Sequence, residues 1–233
     1  MTQHIGIVAC SAPGAALCYQ TICAEVPAEL GVHEHPEISL HAYSFAEHVR
    51  RMEASDWPGV GRLMAGSAAK LAAIGAAFAI CPDNTAHQGM DVAQAESPIP
   101  WLHIAEVVAA EAVRSGAKRL GVLGTRYLME GPVYADKLAA VDLDWCIPGP
   151  ADRDTVDGII FGDLVFGRVT PEARAELGRI IHELQARESC DSIVLGCTEL
   201  PLAISDELTD LPLLDSTRLL ARAALRRSIE GTA

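Results

Sequence analysis

Two short polar turns in this 233-residue chain carry side chains able to move a proton at carbon. One is CPDNTAH at 81–87, with Asp83 inside it; the other is LGCTELP at 195–201, with Cys197. Two such groups facing each other across a cleft suit removal of a proton from one face of a carbon and delivery to the other. A cysteine fits the task because its ordinary pKa of about 8.5 falls at a helix N-terminus. LGCTELP reads as a strand-to-helix turn, with Thr198 placed to cap the helix. Backbone N–H groups there and at Asn84–Thr85 form natural carboxylate sites. Cys197 reads equally well as a buried thiol packed in a turn, and spacing alone does not separate the two.

The elements that must position these turns follow from the apolar pattern. Short, β-branched runs predict strands at Ile5–Ala9, Ile38–Tyr43, Ala77–Cys81, Trp101–Ile104, Arg119–Leu123, Asp142–Cys146, Ser192–Leu195 and Leu211–Leu214. Helical patterns lie between them at Ala15–Glu29, Gly59–Ile74, Ile104–Ser115, Gly131–Ala140, Thr155–Phe166, Pro171–Glu188 and Ser216–Ile229. Such alternation predicts an α/β fold with parallel sheets and crossover helices.

Sliding the chain along itself sharpens this. IGIVACS at 5–11 falls on LGVLGTR at a shift of 115, AICPDNTA at 79–86 on IVLGCTEL at 114, and IPWLHIAE at 99–106 on LPLLDSTR at 112. Three strand-turn-helix junctions in one order predict two pseudo-symmetric, doubly wound parallel-sheet domains, 1–113 and 114–233, with the last helix free to pack back on the first half. Ligands of open parallel sheets bind beyond the carboxyl ends of the strands. Cys10–Pro13, Asp83–His87, Thr125–Arg126 and Cys197–Glu199 all stand at such ends. If the halves face each other, Asp83 and Cys197 are symmetry mates in an interdomain active site.

Composition narrows the partners. Eighteen Lys and Arg against 31 Asp and Glu give a net charge of −13, which repels nucleic acid and anionic membrane surfaces. No apolar run is long enough to span a membrane. The chain opens directly on an apolar strand without a basic leader, and its seven cysteines contain no CxxC pair. A reduced, cytoplasmic enzyme is the expectation. Neither G-x-G-x-x-G nor a P-loop occurs, and Lys70, Lys118 and Lys137 all miss the junctions, so no nucleotide or pyridoxal cofactor is indicated.

The motifs CPDNTAH, VLGTRYLMEGPVY at 122–134 and VLGCTELPL at 194–202 together resemble the cofactor-independent aspartate/glutamate racemase superfamily over nearly the whole chain. The resemblance implies a homodimer, a small carboxylate or amino-acid substrate, and no cofactor. It implies that Asn84, Thr85, Thr125 and Thr198 bind the substrate carboxylate and that Cys197 is one acid/base. It gives His87 and Glu199 positions that orient or tune the site.

Two departures matter. The residue before N-T-x-H, commonly Cys in that superfamily, is Asp83 here. Cys81 lies two residues earlier, on the same side of a strand but about 6–7 Å deeper, and Pro82 restricts any slip. The first loop reads ACSAP where a glycine-rich turn is usual, so Cys10 and Ser11 enter a loop that touches substrate. An Asp83/Cys197 pair is asymmetric, because an ionised Asp83 disfavours a second anion nearby. The resting state is then carboxylate plus thiol, and the reaction is racemisation of an acidic amino acid between Asp83 and Cys197. Alternatives are single-cysteine lyase, decarboxylase or cis–trans isomerase chemistry with Asp83 as an electrostatic partner, or a carboxylate-binding protein without catalysis.

Other residues read more plainly. Cys18, Cys23, Cys146 and Cys190 read as structural, Met129 as core, and His33 and His35 as solvated rather than metal ligands. His103, matched by Asp215 in the repeat, reads as a support for the site. Arg126, following Thr125, is favoured over Arg50 and Arg51 for a distal substrate carboxylate.

Overall fold

The computed structural model describes residues 2–231 and divides into two compact units. One comprises the chain up to Val107 together with the segment from Thr217; the other is Val108–Ser216. The repeat set the division at 113/114, six residues later in the same helix.

The first unit runs β1 (Ile5–Ala9), α1 (Ala12–Glu25), β2 (Ile38–Ala42), α2 (Phe45–Glu53), α3 (Trp57–Ala73), β3 (Phe78–Ile80), α4 (Met90–Glu96), β4 (Trp101–Leu102) and α5 (Ile104–Ser115). The second runs β5 (Arg119–Leu123), α6 (Arg126–Met129), α7 (Ala135–Ala139), β6 (Asp144–Cys146), α8 (Pro150–Gly162), α9 (Pro171–Glu188), β7 (Ser192–Leu195), α10 (Leu200–Ala203) and β8 (Leu213–Asp215). The last helix, α11 (Ser216–Glu230), returns to the first unit.

Each unit holds a four-stranded parallel sheet, ordered β2-β1-β3-β4 and β6-β5-β7-β8. The registers repeat as well as the orders. Gly6 stands opposite Ala79, and Ala79 opposite Trp101; in the second sheet Gly121 stands opposite Ile193, and Ile193 opposite Leu213. These pairs reproduce the three sequence shifts, so the repeat seen in the chain is a repeat of backbone pairing.

Burial follows the two-residue period of a strand. On β1, Ile5, Ile7 and Ala9 pack with Cys18 and Ile22 of α1 and Leu220 and Ala224 of α11. Val8 and Cys10 turn to the other face, with Met64 and Leu71 of α3 and with Cys81. That parity sets Cys10 and Cys81 on one side of the sheet, beneath the turn that holds Asp83. In the second unit Leu123, Ile193 and Leu195 pack under Ile160 of α8 and Ile180 and Leu184 of α9.

Several elements differ from expectation for local reasons. β3 stops at Ile80, two residues ahead of Pro82, which has no N–H for the ladder. α8 begins at Pro150, whose fixed φ suits a first turn, whereas the apolar pattern starts only at Val156. α7 is confined to five residues after Gly131 and Pro132. Three helices went unanticipated, α2, α4 and α6, and α10 was expected after the Cys197 turn without a range. Among the described residues, no helix is long and apolar enough to cross a membrane.

Candidate functional site

In the first unit the turn after β3 is a 3-10 segment, Thr85–Gly89, built around Asp83. The Ala86 N–H donates to Asp83 Oδ1 at 3.0 Å, so the carboxylate closes its own turn. His87 anchors the turn from the other side. Its Nε2 receives the Ile104 N–H at 3.2 Å, which places the ring proton on Nδ1, and Nδ1 donates to the Asp83 carbonyl at 2.8 Å. His103 Nδ1 receives the Ala105 N–H at 3.2 Å and caps α5, its ring lying edge-on to His87 with centroids 4.7 Å apart. Asn84, Thr85, His87 and His103 are all buried. The two histidines thus tie the Asp83 turn to the start of α5.

Asp83 itself is half-buried. Burial pushes the thiol of Cys10, just past β1, well up, and the Asp83 charge pushes it further. Cys81 is fully buried and is raised by the same two causes in the same order. A carboxylate at 83 therefore keeps both neighbouring thiols protonated. Ser11 stands at the N-cap position of α1 without a side-chain capping bond.

One group beside Asp83 is absent from the sequence reading. His48, on α2, is 1% exposed, and neither ring nitrogen has a hydrogen-bond partner. Burial lowers its pKa; the charges of Asp83 and Glu47 oppose that shift, and Arg51 adds to it. A neutral imidazole with both nitrogens open is costly in a dry interior unless a ligand or water meets it. The signal for it was slight, a lone histidine in the charged stretch FAEHVRRME. Arg50 and Arg51, weighed for a distal carboxylate, both pair with Glu47 on the same helix.

In the second unit the corresponding turn follows β7. Cys197 Sγ donates to Glu199 Oε2 at 2.9 Å, and Thr198 Oγ1 donates to the same oxygen at 2.7 Å. Thr198, expected to cap the following helix, thus gives its hydroxyl to Glu199, which occupies the N-cap position of α10. Cys197 and Thr198 are half-buried and Glu199 is buried, so the carboxylate orients the thiol from behind.

The loop after β5 meets this turn backbone to backbone. The Gly196 N–H donates to the Leu123 carbonyl at 2.7 Å. A Cβ at Gly196 would lie 2.8 Å from that carbonyl oxygen and collide with Leu128. Thr125, buried, caps α6 by accepting the Leu128 N–H at 3.3 Å. Ser216 Oγ donates to the Leu195 carbonyl at 2.8 Å, and Tyr134, fully buried and raised by burial, hydrogen-bonds Ser216. These contacts fix the strand end that carries Cys197; Tyr134 and Ser216 were not singled out from the sequence. Arg126, directly after Thr125, has a half-exposed side chain, its guanidinium paired with Asp154 at 2.5 Å and its N–H with Asp157 at 2.7 Å.

The fold and these turns describe a duplicated α/β protein with an aspartate or a cysteine in the turn after the third strand of each unit. The chain belongs to the Asp/Glu/Hydantoin racemase family, whose model matches residues 5–224. It is similar to the solved structure of a provisionally assigned Asp/Glu racemase from Yersinia pestis, at 29% identity and a TM-score of 0.91 over 97% of this chain and 99% of that one. It is also similar to an aspartate racemase homologue from Pyrococcus horikoshii OT3, at 26% identity and a TM-score of 0.86 over 98% and 100%. Among curated proteins, a glutamate racemase of Pseudomonas syringae pv. tomato is 36% identical over 104 residues. That match covers 45% of this chain and only 35% of the glutamate racemase.

Proposed function

We propose that this protein interconverts the enantiomers of an acidic amino acid of the aspartate/glutamate type, without a cofactor, by proton transfer at Cα. In this reading Asp83 is the base toward one enantiomer and Cys197 the acid that reprotonates the opposite face. The reverse direction passes through protonated Asp83 and a Cys197 thiolate. The observation that carries the reading is the pair of resting states. Cys197 donates its proton to Glu199, while the thiols around Asp83, Cys10 and Cys81, are held protonated. Asp83 is then the group of the first unit that accepts a proton, and Cys197 the group of the second that gives one.

Binding roles follow from chemistry. Asn84, Thr85, Thr125 and Thr198 offer donors for the α-carboxylate, and Ser11, just past β1, offers another. His48, whose two nitrogens have no protein partner, receives the substrate's second polar group. Arg126 is committed to Asp154 and plays no part in this reading.

The test follows circular dichroism of L- and D-aspartate and L- and D-glutamate with the intact chain and with Cys197→Ala. Decay of the signal toward zero from both enantiomers of one amino acid, abolished in the variant, supports racemisation. Appearance of an alkene or a decarboxylated product instead moves the assignment to one-sided chemistry on Cys197. No change with any of the four refutes the acidic-amino-acid reading.

A further inference from the structure

Cys146 and Cys190 belong to neither turn, yet their sulfurs lie in close contact. Their Sγ atoms are 2.8 Å apart although 44 residues separate them in sequence. Both are free thiols, 9% and 3% exposed. Cys146 ends β6, the edge strand of the second sheet, and Cys190 lies two residues ahead of β7. Between them runs β5, where Gly121 pairs with Cys146 on one side and Ile193 on the other. A Cβ on Gly121 would clash with Ile193 Cδ1 at 2.7 Å and touch Cys190 Sγ only at 3.4 Å, an ordinary contact, so the sulfurs lie against the backbone of β5.

A cation completes the group. The guanidinium of Arg119, on β5, pairs with Glu188 at 2.9 Å, and its charge acts on the Cys146 sulfur. Its side chain is 35% exposed, so the cluster reaches solvent at the edge of the sheet. The two thiols are inequivalent. The Cys190 hydrogen bond, with help from Arg119, pulls Cys146 down; that same contact, with burial, pushes Cys190 up. One sulfur is therefore prepared as the nucleophile while its neighbour keeps a proton.

We propose that Cys146 and Cys190 form an oxidation site that closes into an intrachain disulfide when a peroxide-class oxidant reaches it. The Cys146 thiolate attacks a peroxide oxygen, the O–O bond breaks, and Cys146 becomes a sulfenic acid as hydroxide leaves. The Cys190 sulfur then attacks Cys146 sulfur, forming the S–S bond and releasing the sulfenic oxygen as hydroxide. With the Cys190 proton and one from solvent, the balance is two thiols and one peroxide to one disulfide and two waters. Closing the contact to a bond length of about 2.05 Å requires less than about 1 Å of movement. The bond would pin edge strand β6 to the lead-in of β7 across β5, independently of the proton chemistry proposed above.

The experiment uses the full chain with Cys197→Ser, because Cys190 and Cys197 share the tryptic peptide 188–218. The folded protein is treated with a small excess of hydrogen peroxide, digested without reduction and examined by mass spectrometry. The expected result is a loss of about 2 Da and a link between peptides 138–153 and 188–218. Cys146→Ser and, separately, Cys190→Ala should each abolish the link, and Arg119→Gln should slow it about tenfold. Peptides still unlinked once the half-buried Cys23 is oxidised, or a link from either cysteine to another thiol, would overturn the proposal.

Discussion

Replacing Asp83 by Asn separates the chemistry of this carboxylate from its structural work. The Ala86 N–H bond to Oδ1, worth about 1 kcal/mol, survives because an Asn side-chain oxygen accepts it equally well. The bond from His87 goes to the Asp83 backbone carbonyl and is untouched. What disappears is the charge and the ability to take a proton. Loss of a positioned general base costs about 10²- to 10⁴-fold, or ~3–5 kcal/mol of transition-state stabilisation. The folded state should lose ~1 kcal/mol or less, because the bond that closes the turn is kept. Racemisation by circular dichroism should therefore fall in both directions by at least about 10²-fold, while the urea midpoint barely moves. Asp83→Ala should add the cost of the lost cap, ~1 kcal/mol. A second readout is independent of turnover: Cys10 and Cys81 lose their charged neighbour, so their thiol titrations move down part of the way, burial still holding them up. Turnover of Asp83→Asn within a few-fold of the intact protein would refute Asp83 as a base and leave it a turn-forming residue.

Three further outcomes follow from the geometry. Glu199→Gln weakens the acceptor shared by Cys197 and Thr198, and should lower kcat about tenfold or more with little change in KM, read from initial rates. Gly196→Ala forces a Cβ against the Leu123 carbonyl and Leu128; it should cost about 1–3 kcal/mol by urea denaturation and reduce activity by shifting the Cys197 turn. His48 has a folded pKa below its ordinary 6.5, so the unfolded chain binds the extra proton first. Stability from this group is complete above that ordinary value and is lost as the pH falls through it, so His48→Gln should flatten the acid limb of the stability curve and, by removing a substrate contact, raise KM.

The sequence carried the sheets well because apolar alternation is strongest where strands are buried. β1, β5 and β7, along with α5 and α9, begin and end where the pattern places them, and the Gly6 and Gly121 registers explain why the chain aligns with itself. Polar helices were less legible. α2 buries only His48 among nine residues, so no apolar stripe announces it, and α6 and α10 are four-residue turns below any helical period. The Asp83 and Cys197 turns were legible as motifs, and His87, His103 and Glu199 were named beside them, but the contacts these residues make were not legible. That His87 reaches the start of α5, that Thr198 serves Glu199 rather than capping, and that Arg126 is drawn off by Asp154 depend on groups distant or competing in three dimensions.

The central claim is that Cα loses a proton to one side chain and regains one from another. Proton NMR of the Cα–H signal in D₂O, starting separately from each enantiomer of aspartate and glutamate, tests it most directly. The account predicts that for one of these amino acids the Cα–H signal is lost from both enantiomers, and that the opposite enantiomer appears carrying deuterium. It also predicts that Asp83→Asn and Cys197→Ala each remove this behaviour. Exchange confined to one enantiomer, or opposite-enantiomer product that retains the original proton, would contradict it.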